Sequence, residues 1–168
     1  VVSALKVVTR DIVLSANHPD ARKWLEHVAI MSDERDGIGG ISGIQRGLSS
    51  GRNVLVVAWD MPFVTGDLLA AIATAGIEQH ADAAVPVSNS PRGIEPFCAW
   101  YSTTALAPLN RFLVEGGGSA SDFVGRLPRV HRIPQSVTAR FGDPRVLFFS
   151  VNTPQELAEA RAMAEAAQ

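Results

Sequence analysis

The chain has 168 residues, 46% of them hydrophobic, which suits one domain with a packed core and excludes a disordered chain or a short stapled scaffold. Fifteen Lys and Arg stand against 17 Asp and Glu, a net charge of −2, so no overall field draws nucleic acid or an anionic membrane surface. Cys98 is the single cysteine; an intrachain disulfide and a multi-thiolate metal site are both excluded, and a reducing, cytoplasmic setting is expected.

Residues 1–10 read as the end of a helix. Asp11–Ala16 is a buried-strand candidate, 20–25 is amphipathic, and His27–Met31 is a second strand entering a polar loop, 32–39. A helix follows over about Gly40–Leu48. Asn53–Ala58 is β-branched and continuous, the clearest strand, expected to lie centrally in a parallel sheet. The pattern then predicts a helix over Gly66–Gly76, a strand over Ala81–Ser88, a Pro/Gly/Ser loop over 89–94 and a strand over Phe97–Ser102. Thr104–Glu115 is helical, Gly116–Gly118 is a break, and Ser119–Leu127 is a short helix. Pro134–Asp143 reads as irregular and Arg145–Ser150 as a last strand. Thr153-Pro154-Gln155-Glu156 is a helix-start signature with a hydroxyl at the cap, Pro at the first position and Glu at the third. Short apolar runs alternating with amphipathic stretches define a single α/β domain, and no run of ~18 apolar residues marks a membrane span.

Ligands of open α/β sheets gather at the carboxyl ends of the strands, so the residues after each strand are the candidates for chemistry. Asp60 follows the clearest strand. It is either a ligand for a hard cation such as Mg²⁺, which takes one or two carboxylates together with water and phosphate oxygens, or a turn aspartate bonded to its own backbone. Asn17 and Asn152 end the first and last expected strands, each a ligand contact or a turn or cap residue. Gly39 and Gly40 miss the spacing of a dinucleotide fingerprint, but let the backbone pass close to a ligand that faces a helix N-terminus. Asp33 heads that loop, either as a partner for a base or ribose or as one charge of a solvated run. Glu95 is held by the stiff Pro96. The histidines show no metal-ligand spacing, no Gly-x-Ser-x-Gly elbow exists, and Cys98 lies in an apolar strand, so nucleophilic catalysis is unsupported. Trp24, Trp59 and Trp100 are too scattered in sequence for a base-stacking platform and are expected in or beside the core.

Five segments in order carry a resemblance: Ser15-Ala-Asn17; Asp33 leading into Gly39-Gly-Ile-Ser-Gly43; Val56-Val-Ala-Trp-Asp60-Met-Pro-Phe63; Glu95-Pro96-Phe97; and Ser150-Val-Asn152-Thr-Pro-Gln-Glu-Leu157. Together they resemble the molybdenum cofactor guanylyltransferase family over nearly the whole chain. The resemblance implies a three-layer Rossmann-like nucleotidyltransferase fold with a mostly parallel mixed sheet. It implies transfer of GMP from GTP to the phosphate of molybdopterin, with Mg²⁺ as cofactor and pyrophosphate released. Asn17, Asp33, Gly39 and Gly40 would bind the nucleotide, and Asp60 would hold Mg²⁺ and the phosphates. Asn152 would join Asp60 in catalysis, where wider relatives place a second metal-binding carboxylate. Glu95, Arg92 and Ser119 would bind the acceptor, with Arg132 and Arg140 as further candidates by charge. Molybdopterin-insertion proteins and apo-molybdoenzymes are the implied partners. The family's opening strand and Gly-rich triphosphate loop have no counterpart in the sequence, so an N-terminally incomplete domain is expected, shorter than the whole by roughly 20–35 residues, the span of a strand, loop and helix start. Cytidylyl transfer, another phosphorylated acceptor, and a non-catalytic nucleotide or cofactor carrier are the competing readings.

Overall fold

A computed structural model describes residues 1–18, 20–25, 27–32 and 39–166. The expected helix at the start is α1 (Val2–Val8), followed by β1 (Val13–Ser15) and β2 (Ala29–Met31), which pair in parallel as a two-stranded sheet. Next come α2 (Gly40–Leu48), β3 (Val54–Val57), α3 (Gly66–Glu78), β4 (Ala83–Pro86) and β5 (Cys98–Tyr101). The chain continues through α4 (Leu106–Val114), α5 (Ala120–Arg126), β6 (Val130–Ile133), α6 (Gln135–Thr138), α7 (Pro144–Leu147) and α8 (Pro154–Ala166). A four-stranded sheet has the order β3-β5-β4-β6. β4 and β6 are parallel and β5 runs against both β3 and β4, so three of its four strands point one way.

Side-chain alternation along β4 and β5 divides the core into two layers. Ala83, Val85, Ala99 and Tyr101 face a cluster with α2, α4 and α5, built on Ile41, Ile44, Leu109 and Phe123. Ala84, Cys98 and Trp100 face the other cluster, with Leu68, Leu69 and Ile72 of α3 and the half-buried Leu5 and Val8 of α1. Helices on both faces of one sheet make three layers, as the sequence pattern predicts.

Side-chain caps start four of the helices, α3, α5, α7 and α8. The Thr65 hydroxyl accepts from the Leu68 N–H at 3.3 Å to cap α3, and the Ser119 hydroxyl accepts from the Asp122 N–H at 3.3 Å to cap α5. In α2 the buried Ile41, Ile44 and Leu48 recur at helical spacing on one face. At the amino end of β4, buried Asp82 accepts from Thr104 Oγ1 at 2.6 Å and from Arg129 Nη2 at 2.6 Å, tying β4 to the entry of β6 and to the 103–105 turn.

Three expectations are corrected. β3 lies at an end of the four-stranded sheet, paired with antiparallel β5, rather than centrally in parallel surroundings. The strand expected over Arg145–Ser150 is helical at its start: the Asp143 carboxylate accepts from the Arg145 N–H at 2.9 Å and Pro144 opens α7, so a capped, proline-led turn overrides the β propensity of Val, Leu and Phe. β6 was unexpected, because Val130-His-Arg-Ile133 is short and half polar; its strand state comes from the parallel ladder to β4. Among the described residues no helix is long and apolar enough to cross a membrane.

Candidate functional site

β3 ends at Val57, and the next two residues turn the chain. The Ala58 N–H donates to the Phe97 carbonyl at 2.6 Å, and the Met61 N–H closes the turn onto the Ala58 carbonyl at 3.3 Å. The Asp60 carboxylate therefore takes no part in closing its own turn. Its Oδ2 accepts from the Ser150 hydroxyl at 2.8 Å, ninety residues away, while the Asp60 carbonyl accepts from the Val151 N–H at 2.9 Å. Oδ1 is buried without a hydrogen-bond partner. Buried Met61 and the Phe63 and Phe149 rings, 6.4 Å apart, lock the segment on either side. A carboxylate oriented at one oxygen and unsatisfied at the other suits a cation, because burying such an atom unpaired is costly.

Asn152 comes to the same place through the 150–152 segment. Its backbone N–H donates to Glu156 Oε2 at 2.8 Å, and the Glu156 N–H donates to Thr153 Oγ1 at 3.1 Å, realising the helix-start signature of α8. The Asn152 N–H, with the Thr153 contacts, holds the Glu156 carboxyl below the usual carboxylate range. The cap thus fixes the backbone of Asn152 and leaves the residue exposed next to the Asp60 staple.

A cavity of about 460 Å³ opens between the start of α2, the 90–97 segment and the head of α5. It brings Gly39, Gly40, Arg92 and Ser119 together, four predicted site residues from three separate stretches. Gly39 caps α2 with φ of +71°, a conformation that favours glycine. A Cβ on Gly40 would lie 2.8 Å from the Phe97 ring, so glycine there keeps one wall of the cavity in place. Arg92 donates to the Ser119 hydroxyl across the opening. Ile41, Ile94, Pro96 and Phe97 make the walls apolar, with Ser90, Arg92 and Ser119 as polar groups. Such a lining suits a flat heteroaromatic ring with a polar edge.

Glu95 is buried between Ile94 and Pro96, both lining residues. Burial pushes its carboxyl up, opposed in part by hydrogen bonds from Ser88 and Ser90. Asn17 is exposed at the carboxyl end of β1, where the Ala16 N–H extends the ladder to the Met31 carbonyl at 3.1 Å. Asp33 lies outside the described residues.

The structure bears out the reading of Trp100 and overturns that of Trp24 and Trp59. Trp100 is core, 6% exposed. Trp24 and Trp59, far apart in sequence, stack with ring centroids 6.1 Å apart and planes 21° apart, and His18 stacks on the other side of Trp24 at 5.2 Å. Sequence spacing carries no signal for this column, because its rings meet only through the turns after β1 and β3.

Among the described residues no group of three or more His, Cys, Asp and Glu forms a metal-binding set. Among the described residues Asp60 has the one buried carboxylate oxygen without a hydrogen-bond partner, which fits a hard cation completing its shell with phosphate oxygens and water rather than a closed protein cage.

Three layers with polar groups gathered at the strands' carboxyl ends define an α/β nucleotide-handling domain. The profile of the MobA-like NTP transferase domain matches residues 1–130, and the chain belongs to that family of nucleotidyltransferases. It is 32% identical over 165 residues to the molybdenum cofactor guanylyltransferase of Desulfosudis oleivorans, covering 96% of this chain and 79% of the relative. It is 30% identical over 167 residues to a probable molybdenum cofactor guanylyltransferase of Pelotomaculum thermopropionicum, covering 98% and 78%. The solved structure of molybdopterin-guanine dinucleotide biosynthesis protein A from Archaeoglobus fulgidus superposes with a TM-score of 0.79 at 24% identity, covering 97% of this chain and 86% of that one, a likeness of fold.

Proposed function

We propose that the protein transfers GMP from GTP to the terminal phosphate of molybdopterin, forming the guanine dinucleotide cofactor and releasing pyrophosphate. The observation that carries this reading is the buried, unpartnered Oδ1 of Asp60, aimed by Ser150 in a chain of this family. A phosphate oxygen of the acceptor forms the new bond to the α-phosphorus as the bond from that phosphorus to the β-phosphate bridge breaks. The electron pair leaves on pyrophosphate. No protein nucleophile is needed, and the single cysteine is a poor one: burial and the nearby Glu95 push the Cys98 thiol up to about 12. The protein's task is to position two anionic substrates and stabilise charge that moves between them. Asp60 would hold Mg²⁺, which would supply positive charge against the phosphates. Ser150 orients Asp60 for that role, and the exposed Asn152 would contact the phosphates. The cavity joins the expected nucleotide residues Gly39 and Gly40 to the expected acceptor residues Arg92 and Ser119; the acceptor would enter at the Arg92 and Ser119 side, with Arg92 at its anionic end.

The test incubates the protein with Mg²⁺, molybdopterin and either GTP or CTP, and follows pyrophosphate and dinucleotide product. Product from GTP is expected, and product from CTP alone would replace the guanylyl reading with the cytidylyl one. Asp60→Asn should lower turnover by about 10²–10³-fold, the loss of several kcal/mol of transition-state charge stabilisation, with an unchanged circular dichroism spectrum. Turnover within a few-fold of the parent would return Asp60 to a turn residue.

A further inference from the structure

Trp59 immediately precedes Asp60 and is 77% exposed. It belongs to neither core cluster, so its indole contributes little burial to the fold. Its ring is nevertheless held: Trp24 backs it at 6.1 Å and His18 backs Trp24 at 5.2 Å, with near-parallel planes along the column. The column starts at His18, the residue after Asn17, and finishes at Trp59, the residue before Asp60. It therefore holds a largely exposed indole at the chain position next to Asp60.

We propose that Trp59, backed by Trp24, is a stacking platform for the base of the nucleotide substrate. The inference rests on the reading above in which the nucleotide phosphates meet Asp60. One ribose separates the α-phosphate from the base, so a nucleotide anchored at Asp60 carries its base within reach of the neighbouring residue. Stacking engages the face of a base and not its edge, so Trp59 sets affinity for the nucleotide while edge contacts choose among bases.

Binding of three probes to the parent and to Trp59→Ala separates the possibilities: GTP with Mg²⁺, guanosine, and inorganic tripolyphosphate with Mg²⁺, each by titration calorimetry. Loss of one base–aromatic stack weakens binding by about 5- to 150-fold. GTP and guanosine should both weaken in that range by a similar factor, and tripolyphosphate should be unchanged. Trp59→Phe should keep most of the affinity, and guanosine should quench tryptophan fluorescence in the parent more than in Trp59→Phe. GTP binding within twofold of the parent in Trp59→Ala would overturn the proposal, as would equal weakening of tripolyphosphate. A raised KM for molybdopterin with unchanged GTP affinity would overturn it in favour of a pterin platform. Failure of the two inferences is distinguishable, because guanosine binding needs no transfer: stacking without dinucleotide product removes the guanylyl reading alone, and product formation with a neutral Trp59→Ala removes the platform alone.

Discussion

Asp82 and Glu95 are buried carboxyls at opposite ends of β4, and their surroundings push them in opposite directions. Hydrogen bonds from Arg129, with Thr104 assisting, hold Asp82 below the usual carboxylate range despite its burial. Glu95 has two serine hydroxyls against burial and no cation, and its carboxyl is raised. A carboxyl raised in the folded protein binds its proton more tightly there than in the unfolded chain. Its contribution is complete below the unfolded value near 4.5 and is lost as pH rises through the raised folded value. Glu95→Gln keeps a hydrogen-bonding amide and removes the charge. Urea unfolding at steps between pH 4 and pH 7 should show the variant equal to the parent at the acid end and more stable than it at the neutral end. A parent whose stability relative to Glu95→Gln is independent of pH in that window would show that Glu95 is not titrating against its burial. Asp82 gives the opposite sign, its contribution present above 3.8 and lost as pH falls through its lowered value, and because parent and Glu95→Gln both keep Asp82, their difference isolates Glu95.

Elements whose boundaries are set by neighbouring residues were legible, and those set by distant partners were not. Thr153, Pro154 and Glu156 announce α8, and Ile41, Ile44 and Leu48 announce α2, because caps and helical periodicity are written within one or two turns. β6 depends on β4 forty-seven residues earlier, as the Val130 and Ala83 pairing shows, and nothing inside Val130–Ile133 states that dependence. α7 is the exception: its determinants, Asp143 and Pro144, are adjacent to it, but the β propensity of Val146, Leu147 and Phe148 outweighs them in a reading of the sequence. Glycine in α3 shows the same limit. Gly76 looks like a helix-ending residue in sequence, but a Cβ there would lie 2.2 Å from Cε3 of the buried Trp100. It is the close-packing point of α3 on β5. Gly76→Ala should therefore destabilise the protein by about 1–3 kcal/mol through overpacking, although alanine is the better helix former. A urea midpoint equal to or above the parent's would mean that Trp100 moves aside at no cost.

At the scale of the molecule, sequence order identified the groups at the strand ends, while their partition into places came only with the fold. Gly40, Arg92 and Ser119 meet at one cavity, Asp60 meets Ser150 and Val151, and Asn17 follows β1 as the residue before His18. Asp60 thus stands at a junction: its segment is tied to β5 through Ala58 and Phe97, and to the approach of α8 through Ser150 and Val151. A ligand that binds this junction binds only the folded chain, since unfolding separates residues 60 and 150. Saturation at 100 times the dissociation constant adds about 2.7 kcal/mol, and domains of this size shift by about 2–4 °C per kcal/mol. GTP with Mg²⁺ should accordingly raise the melting temperature by roughly 5–11 °C. If the cation is shared between Asp60 and the phosphates, chelating it with EDTA removes most of that shift in the parent. Asp60→Asn, which loses the metal-facing charge but keeps a side chain able to accept from Ser150, should show a smaller shift that is the same with and without Mg²⁺. A parent shift insensitive to EDTA would place the nucleotide on the protein without a cation at Asp60, and the buried Oδ1 would then require a different partner.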